Sequence, residues 1–140
     1  MKNNNSRSVQ EVNEQATAQS DVYPVHDLGG TSFQFTTIED ADEYYFKGVH
    51  RHDFYELLWF TEVAADRHHY IDFNKCEIEN NQLFLLLPGQ VHQIDQRGKF
   101  GFLMAFSSAF FEKITGNDIA WFVSHSCNFN VVIPGHLVPV

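Results

Sequence analysis

Short apolar and aromatic runs of five to nine residues recur between positions 32 and 106, and clusters of polar residues, Gly and Pro separate them. Runs of this length, rich in Phe, Tyr, Ile, Val and Thr, are typical of β-strands. Seven strands at such spacing predict an all-β domain, either a sandwich or a closed barrel. The predicted strands span residues 32–38, 43–50, 54–62, 67–73, 82–87, 91–95 and 100–106.

The pattern changes after residue 106. Ser107 or Ser108 can cap a short helix, because a hydroxyl oxygen accepts a hydrogen bond from a free N–H group of the first turn. Gly116 can end that helix, because glycine tolerates the left-handed conformation that follows a last turn. The predicted elements in this part are helices at residues 109–114 and about 118–124 and a last strand near 129–133.

Residues 1–21 are rich in Asn, Ser, Gln and Glu and hold almost no large apolar side chain. Such a segment cannot bury enough surface to offset its ordering entropy, so we predict a flexible arm at 1–21 and one domain at 22–140. The N-terminus lacks the apolar centre of a secretory signal, and no run approaches the ~18 apolar residues of a membrane helix. We therefore expect a cytoplasmic protein with no membrane partner.

The charge balance argues against nucleic-acid binding by this chain. The sequence has 18 acidic and 9 basic side chains, which gives a formal net charge of −9. A phosphate backbone is held by clustered Lys and Arg, and the few cations here are scattered along the sequence. We expect no DNA contact from these residues alone.

Two strands carry more apolar residues than a half-exposed strand needs. Strand 54–62 is apolar on both parities, with Leu58 and Phe60 on one face and Leu57 and Trp59 on the other, so we expect a cover on each face. The last strand of the series has an aromatic stripe of period two. We expect that stripe in the core: Phe100, Phe102, Met104 and Phe106.

The most informative segment is HRHDFYE at 50–56. His50 and His52 are two residues apart, so on a strand both project from the same face. Glu56 is four residues further on, roughly 13 Å along a straight strand, whereas ligands of one metal ion lie ~2–2.6 Å from it. If Glu56 joins the histidines, the chain must turn near Asp53, a residue type that tolerates turns.

A second polar site follows the apolar run at 83–87. Pro88 and Gly89 predict a tight turn that would aim His92 back across the barrel. Three histidines and one carboxylate suit a divalent metal such as Mn, Fe, Ni or Zn. The same groups could instead hydrogen-bond one another or an effector at the barrel mouth. The four residues are His50, His52, Glu56 and His92.

The remaining histidines give weaker signals. His68 and His69 are adjacent and point to opposite faces of their strand, so one of them could line a pocket while the other meets solvent. No partner pattern surrounds His26, His125 or His136, which we expect at the surface.

The sequence HRHDFYELLWF, followed by LFLLLPGQVHQ, resembles the two motifs of the cupin superfamily. The closer resemblance is to the N-terminal sensing domain of AraC-type bacterial transcription regulators, in which an H-x-H-x-F-x-E strand and a P-G-x-x-H turn recur. HHYIDFNKCEIENNQLFLLLPGQVHQI and the later FGFLMAFSSAFF look like one branch of that family. The similarity covers about residues 32–112. It departs from enzymatic cupins at Tyr44, where they have Gly, and at Gln96, where they have Asn.

The resemblance implies a jelly-roll barrel that senses a small effector, such as a sugar or metabolite, and forms a homodimer. In whole regulators a C-terminal pair of helix-turn-helix units binds DNA, so DNA binding is expected only through a domain outside residues 1–140. No enzymatic activity and no cofactor are expected, apart from a divalent metal if the four polar residues hold one. The implied ligand-binding residues are His50, His52, Phe54, Glu56, Leu58, Phe60, Tyr70 and His92.

Two other functions stay open. One is a small metal-dependent cupin enzyme, an isomerase or dioxygenase, which needs open coordination positions on an ion held by the same four residues. The other is a carbohydrate- or metabolite-binding module without a regulatory role. Metal content separates the enzyme from the sensor, whereas the sequence alone does not separate the sensor from the module.

Overall fold

The computed structural model describes residues 23–116 and 129–137. The predicted arm at 1–21, the predicted helix at about 118–124 and His125 lie outside the described residues. The strands are β1 (Val25–His26), β2 (Phe33–Thr37), β3 (Arg51–His52), β4 (Tyr55–Val63), β5 (His68–Ile71), β6 (Asn74–Glu77), β7 (Gln82–Leu86), β8 (His92–Ile94), β9 (Lys99–Phe106) and β10 (Phe129–Val132).

The strands form two facing groups. One is a five-stranded antiparallel sheet in the order β10-β7-β4-β9-β2. The other joins the antiparallel set β6-β5-β8 to the parallel pair β1-β3 through a bridge between His50 and His92. The predicted all-β class is confirmed, and the architecture is a jelly-roll-like pair of sheets with a short helix near the C-terminus.

The core lies between the two sheets. Leu58 and Phe60 of β4 are completely buried, and Phe84 and Leu86 of β7 face the same interior. The second sheet contributes Ile71 from β5 to this cluster. His52, Glu56 and His92 are buried inside this apolar shell, where a polar group without a hydrogen-bond partner costs free energy.

The aromatic stripe of β9 lies outside this core, so that prediction was wrong for the main cluster, although Phe106 is buried in a second cluster on the other face of the sheet. Leu103 and Ala105 face the interior, while Phe100 on the other parity is 40% exposed. Periodicity indicated the wrong set here, because the inward set begins with Lys99 and Gly101 while the outer set is wholly apolar. Met104 and Phe106 are covered instead by the helix that follows.

That helix is α1 (Ser108–Thr115), and it lies where the sequence predicted one. The Ser107 hydroxyl accepts a hydrogen bond from the Phe110 N–H at 3.2 Å, and Gly116 ends the helix with a φ of 59°. Phe111 packs on the outer face of the five-stranded sheet, where Leu57 is partly buried. β4 is thus covered on both faces, as predicted. No helix in the described part of the chain is long and apolar enough to cross a membrane.

Two segments have a different secondary structure from the one predicted. The run at 43–50 forms a 3-10 helix (Glu43–Phe46), whose first turn is capped because the Asp42 carboxylate accepts from the Tyr44 N–H at 2.9 Å. The polar stretch after residue 73 is not a breaker but strand β6, which pairs with β5 in a hairpin. Asp72 and Phe73 have φ values of 47° and 66°, the left-handed pair of a tight hairpin turn.

We expect Gly101→Ala to destabilise the protein by several kcal/mol, about 3 or more. Gly101 has a φ of 144°, and a Cβ there would lie 1.9 Å from the Trp59 carbonyl oxygen, where β4 is irregular. Gly30→Ala is the matched control, because Gly30 has a φ of 85° but nothing within 4 Å of an added Cβ. It should cost only about 1 kcal/mol. Urea unfolding measures both, and equal costs would contradict the close approach of β4 and β9.

Candidate metal centre

A bend after β3 carries the chain from one sheet to the other. β3 ends at His52, and β4 begins at Tyr55, with a bend at residues 53 and 54. The Asp53 N–H donates to the His26 carbonyl at 3.2 Å, and the His52 carbonyl accepts from the Gly89 N–H at 2.8 Å. The predicted turn near Asp53 is confirmed. It leaves His52 on the second sheet and places Glu56 across from it on the five-stranded sheet.

A turn at Pro88 and Gly89 returns the chain to the second sheet, where His92 lies. Gly89 has a φ of 86°, and the Gln90 N–H donates to the Leu87 carbonyl at 3.1 Å, which closes the turn. The chain then enters β8, whose first residue, His92, is paired with His50 by N–H to carbonyl hydrogen bonds of 2.8 and 3.0 Å. His92 therefore starts on the same sheet as His52.

These two turns bring together His52, Glu56 and His92. Each contributes one potential ligand atom, and the three atoms all lie within 4.8 Å of one another. The residues are 1%, 2% and 1% exposed, respectively. Atoms on a common ion at ~2.0–2.2 Å would be separated by less than 4.5 Å, so only small shifts would close the group around an ion.

Both imidazoles of the group leave Nε2 unused. His52 Nδ1 lies 2.6 Å from the Phe54 carbonyl and donates to it, so Nε2 carries the lone pair of the neutral ring. His52 Nε2 and His92 Nε2 are buried and have no hydrogen-bond partner in the described residues. A buried unpaired nitrogen costs ~1–3 kcal/mol, and coordination to a metal would remove that cost. A ring whose other nitrogen donates to a backbone carbonyl is the usual form of a metal-bound histidine.

Burial sets the protonation of the group. It raises the pKa of Glu56 to about 8 and lowers the pKa of His52 to about 4, against the smaller opposing effect of the Phe54 hydrogen bond. Burial, with the neighbouring His69 and His52, holds the pKa of His92 well below its usual range. At pH 7 both rings are neutral and the carboxyl group is mostly protonated, so no net charge is buried. An incoming cation would displace one proton.

His50 lies beside the group rather than in it. Its Nδ1 donates to the Gly48 carbonyl at 3.2 Å, and its ring centre lies 4.2 Å from that of His92. The four residues singled out in the sequence thus divide into three that converge and one that packs against them. Two histidines and one carboxylate are a known ligand set for Zn and for non-haem Fe.

The residues implied by the family resemblance occupy different places. Phe54, Leu58 and Phe60 are buried in the core cluster. Tyr70 is 42% exposed and lines a pocket of about 160 Å³, and His92 lines the same pocket. Of the implied residues, Tyr70 and His92 thus share one pocket. None of the eight implied residues lines the wider groove of about 490 Å³ formed by Glu43, Phe46, Lys47, Gly48 and residues 93–97.

Two further histidines surround the group. His26 was expected at the surface, but it is 3% exposed, with its ring stacked between Tyr44 at 4.2 Å and His50 at 4.4 Å. No local pattern marks His26, because it is buried by the parallel pairing of two-residue strands. His69 is fully buried and His68 pairs with Asp66 at 2.9 Å, so the prediction of opposite faces is confirmed.

A comparison with protein-family models and with curated protein sequences found no match for this chain. The geometry of the three-residue group is therefore the feature that indicates a function. Two neutral imidazole nitrogens and a carboxyl group can bind a divalent transition metal and leave further coordination positions for water or another ligand.

Proposed function

We propose that this chain is the ligand-sensing and dimerisation domain of a transcription regulator of the AraC type, and that it senses a divalent transition-metal ion at His52, Glu56 and His92. The observation that carries the proposal is a buried carboxyl group within 4.8 Å of a ring nitrogen of two histidines, whose Nε2 atoms have no hydrogen-bond partner among the described residues. The jelly-roll-like fold and the order of the two sequence motifs support the family. DNA would be bound by a helix-turn-helix domain outside this sequence.

The burial of the group favours an ion over a larger effector. All three residues are at most 2% exposed, and the fully buried Phe54, Leu58 and Phe60 pack in the surrounding core. A sugar or metabolite at this position would have to displace packed side chains, which costs several kcal/mol in a well-packed interior. An ion needs only the space between three ligand atoms that already lie close together.

Binding there would be transmitted to the whole domain. His52 and His92 belong to the second sheet and Glu56 to the five-stranded sheet, so an ion on all three would join the two sheets across the core. A ligand that binds only the folded state stabilises it in proportion to the logarithm of its concentration over its dissociation constant. Metal binding would thus stiffen the contact between sheets and could alter surfaces that a DNA-binding partner domain reads.

Calorimetric titration of metal-free protein tests this function. We expect one equivalent of Ni²⁺ or Zn²⁺ to bind to the wild-type chain, and His52→Ala to weaken binding at least about 100-fold. His68→Ala is the matched control, because His68 lies on the surface and should leave the dissociation constant unchanged. Sugars and small organic acids are screened in parallel by thermal shift. Stabilisation by one of these, with no metal bound, would overturn the metal-sensor proposal.

A metal-dependent cupin enzyme is the second candidate, favoured by the fact that three protein ligands leave coordination positions open. All three ligands are buried, so a substrate would have to approach through the pocket of about 160 Å³ that His92 and Tyr70 line. Water-proton relaxation of the Mn²⁺-loaded chain separates the candidates. Weak enhancement indicates a closed sensor site, whereas strong enhancement from rapidly exchanging water supports an open catalytic site.

We also propose where two copies meet, at the free edge of β2. Within the described residues β2 is an edge strand, and it contains no charged residue and no proline. Ser32 and Ile38 bond to the neighbouring strand, through Ser107 N–H to Ser32 O at 3.0 Å and Ile38 N–H to Gly101 O at 2.9 Å. By alternation, the intervening odd-numbered residues, Phe33, Phe35 and Thr37, turn their backbone groups to the free edge.

An antiparallel pair of β2 strands about a two-fold axis at Phe35 would place Phe33 of each copy opposite Thr37 of the other. On the outer face of the five-stranded sheet, next to this edge, Phe33, Phe35 and Phe100 are 44%, 54% and 40% exposed. With ~200 Å² for a whole Phe, these three rings expose about 280 Å². That area is below the ~800 Å² per partner of a standard interface, so we expect a weak dimer in the micromolar range.

Phe35→Lys should convert this dimer to a monomer, because it places two like charges side by side at the two-fold axis. Phe73→Lys is the matched control, since Phe73 is 73% exposed in the β5–β6 turn, away from β2. Sedimentation equilibrium measures both. A dimer that survives Phe35→Lys with an unchanged dissociation constant would rule out the β2 edge.

A further inference from the structure

Within residues 23–116 and 129–137, His69 is the buried side chain whose ring nitrogen contacts a candidate metal ligand. It lies on β5 and is completely buried. Its Nε2 lies 3.1 Å from Nδ1 of His92, and its ring packs on Phe84 with centroids 5.3 Å apart. Among the described residues, His92 Nδ1 has no other hydrogen bond to a side chain. The direction of the hydrogen bond between His69 and His92 therefore determines which nitrogen of His92 carries the proton.

A single proton is shared between those two nitrogens, and its position determines what His92 can do. If His92 Nδ1 holds it, Nδ1 donates to His69 Nε2 and the Nε2 lone pair of His92 can bind a cation, while His69 carries its own proton on Nδ1, which is buried without a hydrogen-bond partner in the described residues. If His69 Nε2 holds it, His92 must carry its own proton on Nε2, and that nitrogen cannot be a ligand. His52 already has the first arrangement, because its Nδ1 donates to the Phe54 carbonyl at 2.6 Å.

We propose that His69 is a positioning residue that accepts the Nδ1 proton of His92 and so fixes the ligand tautomer of that ring. Its effect on affinity rests on the proposed metal function, but the tautomer itself is a property of the metal-free chain. An imidazole in this position differs from the fixed carbonyl that orients His52, because an imidazole can either accept or donate. The Phe54 carbonyl is thus a permanent acceptor for His52. His69 Nε2 is an acceptor for His92 only while the His69 proton stays on Nδ1.

Two variants of the full chain separate this role from packing. His69→Gln keeps an acceptor near the position of Nε2, because the amide oxygen of Gln reaches about as far. His69→Met fills a similar volume with an unbranched apolar side chain and offers no comparable acceptor. Thermal unfolding shows whether each variant is folded, and a purely structural role for His69 predicts that the two behave alike in all other measurements.

Long-range ¹H–¹⁵N NMR of the metal-free protein is the first readout. We expect His92 to carry its proton on Nδ1 in the wild type and in His69→Gln, and on Nε2 or on both nitrogens in His69→Met. The Ni²⁺ dissociation constant is the second readout. We expect His69→Gln to remain within about threefold of the wild type and His69→Met to bind 10–100-fold more weakly.

Three results would overturn the inference: a wild-type His92 with its proton on Nε2, an unchanged His92 tautomer in a folded His69→Met, or equal loss of Ni²⁺ affinity in both variants. If the wild type binds no metal while the NMR pattern is as expected, the metal function fails and the tautomer assignment holds. If His69→Met does not fold, the wild-type spectrum and the recovery of affinity in His69→Gln still decide the matter.

Discussion

We expect Glu56→Gln to abolish tight metal binding while leaving the metal-free fold intact. Burial raises the pKa of Glu56 to about 8, so at pH 7 the wild-type side chain is mostly the neutral acid. Glutamine has the same shape and also no charge, so the metal-free protein should keep its stability within about 1 kcal/mol. The amide cannot become an anionic ligand, so we expect Ni²⁺ affinity to fall at least about 100-fold.

The same substitution should remove the pH dependence of binding. Below pH 8 an incoming ion must displace the proton of Glu56, whereas His52, with a pKa of about 4, is already neutral. Wild-type affinity should therefore rise about tenfold per pH unit from pH 5 to 8 and then level off, with about one proton released. Glu56→Gln should show a flat profile over this range.

Calorimetry in buffers of different ionisation enthalpy measures both the affinity and the proton release. Glu77→Gln is the control, because Glu77 lies exposed on β6 and should leave both quantities unchanged. Unchanged Ni²⁺ affinity in Glu56→Gln, or wild-type binding without proton release at pH 6, would mean that Glu56 is not a ligand.

Stability of the metal-free protein should be greatest near pH 6.5 and fall on both sides. On the acid side, burial is the main cause that lowers the pKa of His52 to about 4 and of His69 to about 3, and it holds the pKa of His92 well below its usual range. A group with a depressed folded-state pKa contributes stability that is present above its unfolded value of 6.5 and lost as the pH falls towards the folded value.

On the alkaline side Glu56 acts in the opposite sense. Its folded-state pKa of about 8 is above the unfolded 4.5, so its contribution is present below pH 4.5 and lost as the pH rises to 8. Between pH 4.5 and 6.5 these three histidines outweigh one carboxyl group, and burial also lowers the pKa of His26 and His50, so acidification should cost about 3 kcal/mol or more per pH unit. Above pH 6.5 the loss should approach about 1.4 kcal/mol per unit.

Urea unfolding from pH 4.5 to 9 measures this profile. Glu56→Gln should remove the alkaline decline and keep the acid one, which separates the two causes. A profile that is flat from pH 5 to 8, or that peaks below pH 5, would show that these groups are not buried together in the folded protein.

The sequence predicted the centre well where local signals determine it. The spacing of His52 and Glu56 required a bend near Asp53, and Pro88 with Gly89 marked the turn before His92, because turns are set by residues adjacent in sequence. The cap and end of α1 could be read from Ser107 and Gly116 for the same reason. The all-β class followed from the number and spacing of the strands, whereas the jelly roll was implied by the resemblance to the cupin family.

Features set by distant contacts were missed. His26 is buried only because β1 pairs in parallel with β3, which no pattern around residue 26 indicates. The aromatic run at 43–50 suggested a strand, but Asp42 caps a 3-10 helix there. The inward parity of β9 was misjudged because the outer set is wholly apolar, while the inward set contains Lys99 and Gly101 beside Leu103 and Ala105. For His26 and β9 tertiary packing determined the outcome, whereas the Asp42 cap is a local signal that the aromatic run outweighed.

Anomalous X-ray diffraction from crystals grown with one equivalent of Zn²⁺ tests the central claim most directly. We expect a single strong anomalous peak ~2.0–2.2 Å from His52 Nε2, His92 Nε2 and a Glu56 carboxylate oxygen. Peaks confined to surface histidines such as His68 and His136, or an organic molecule among these three side chains, would contradict it.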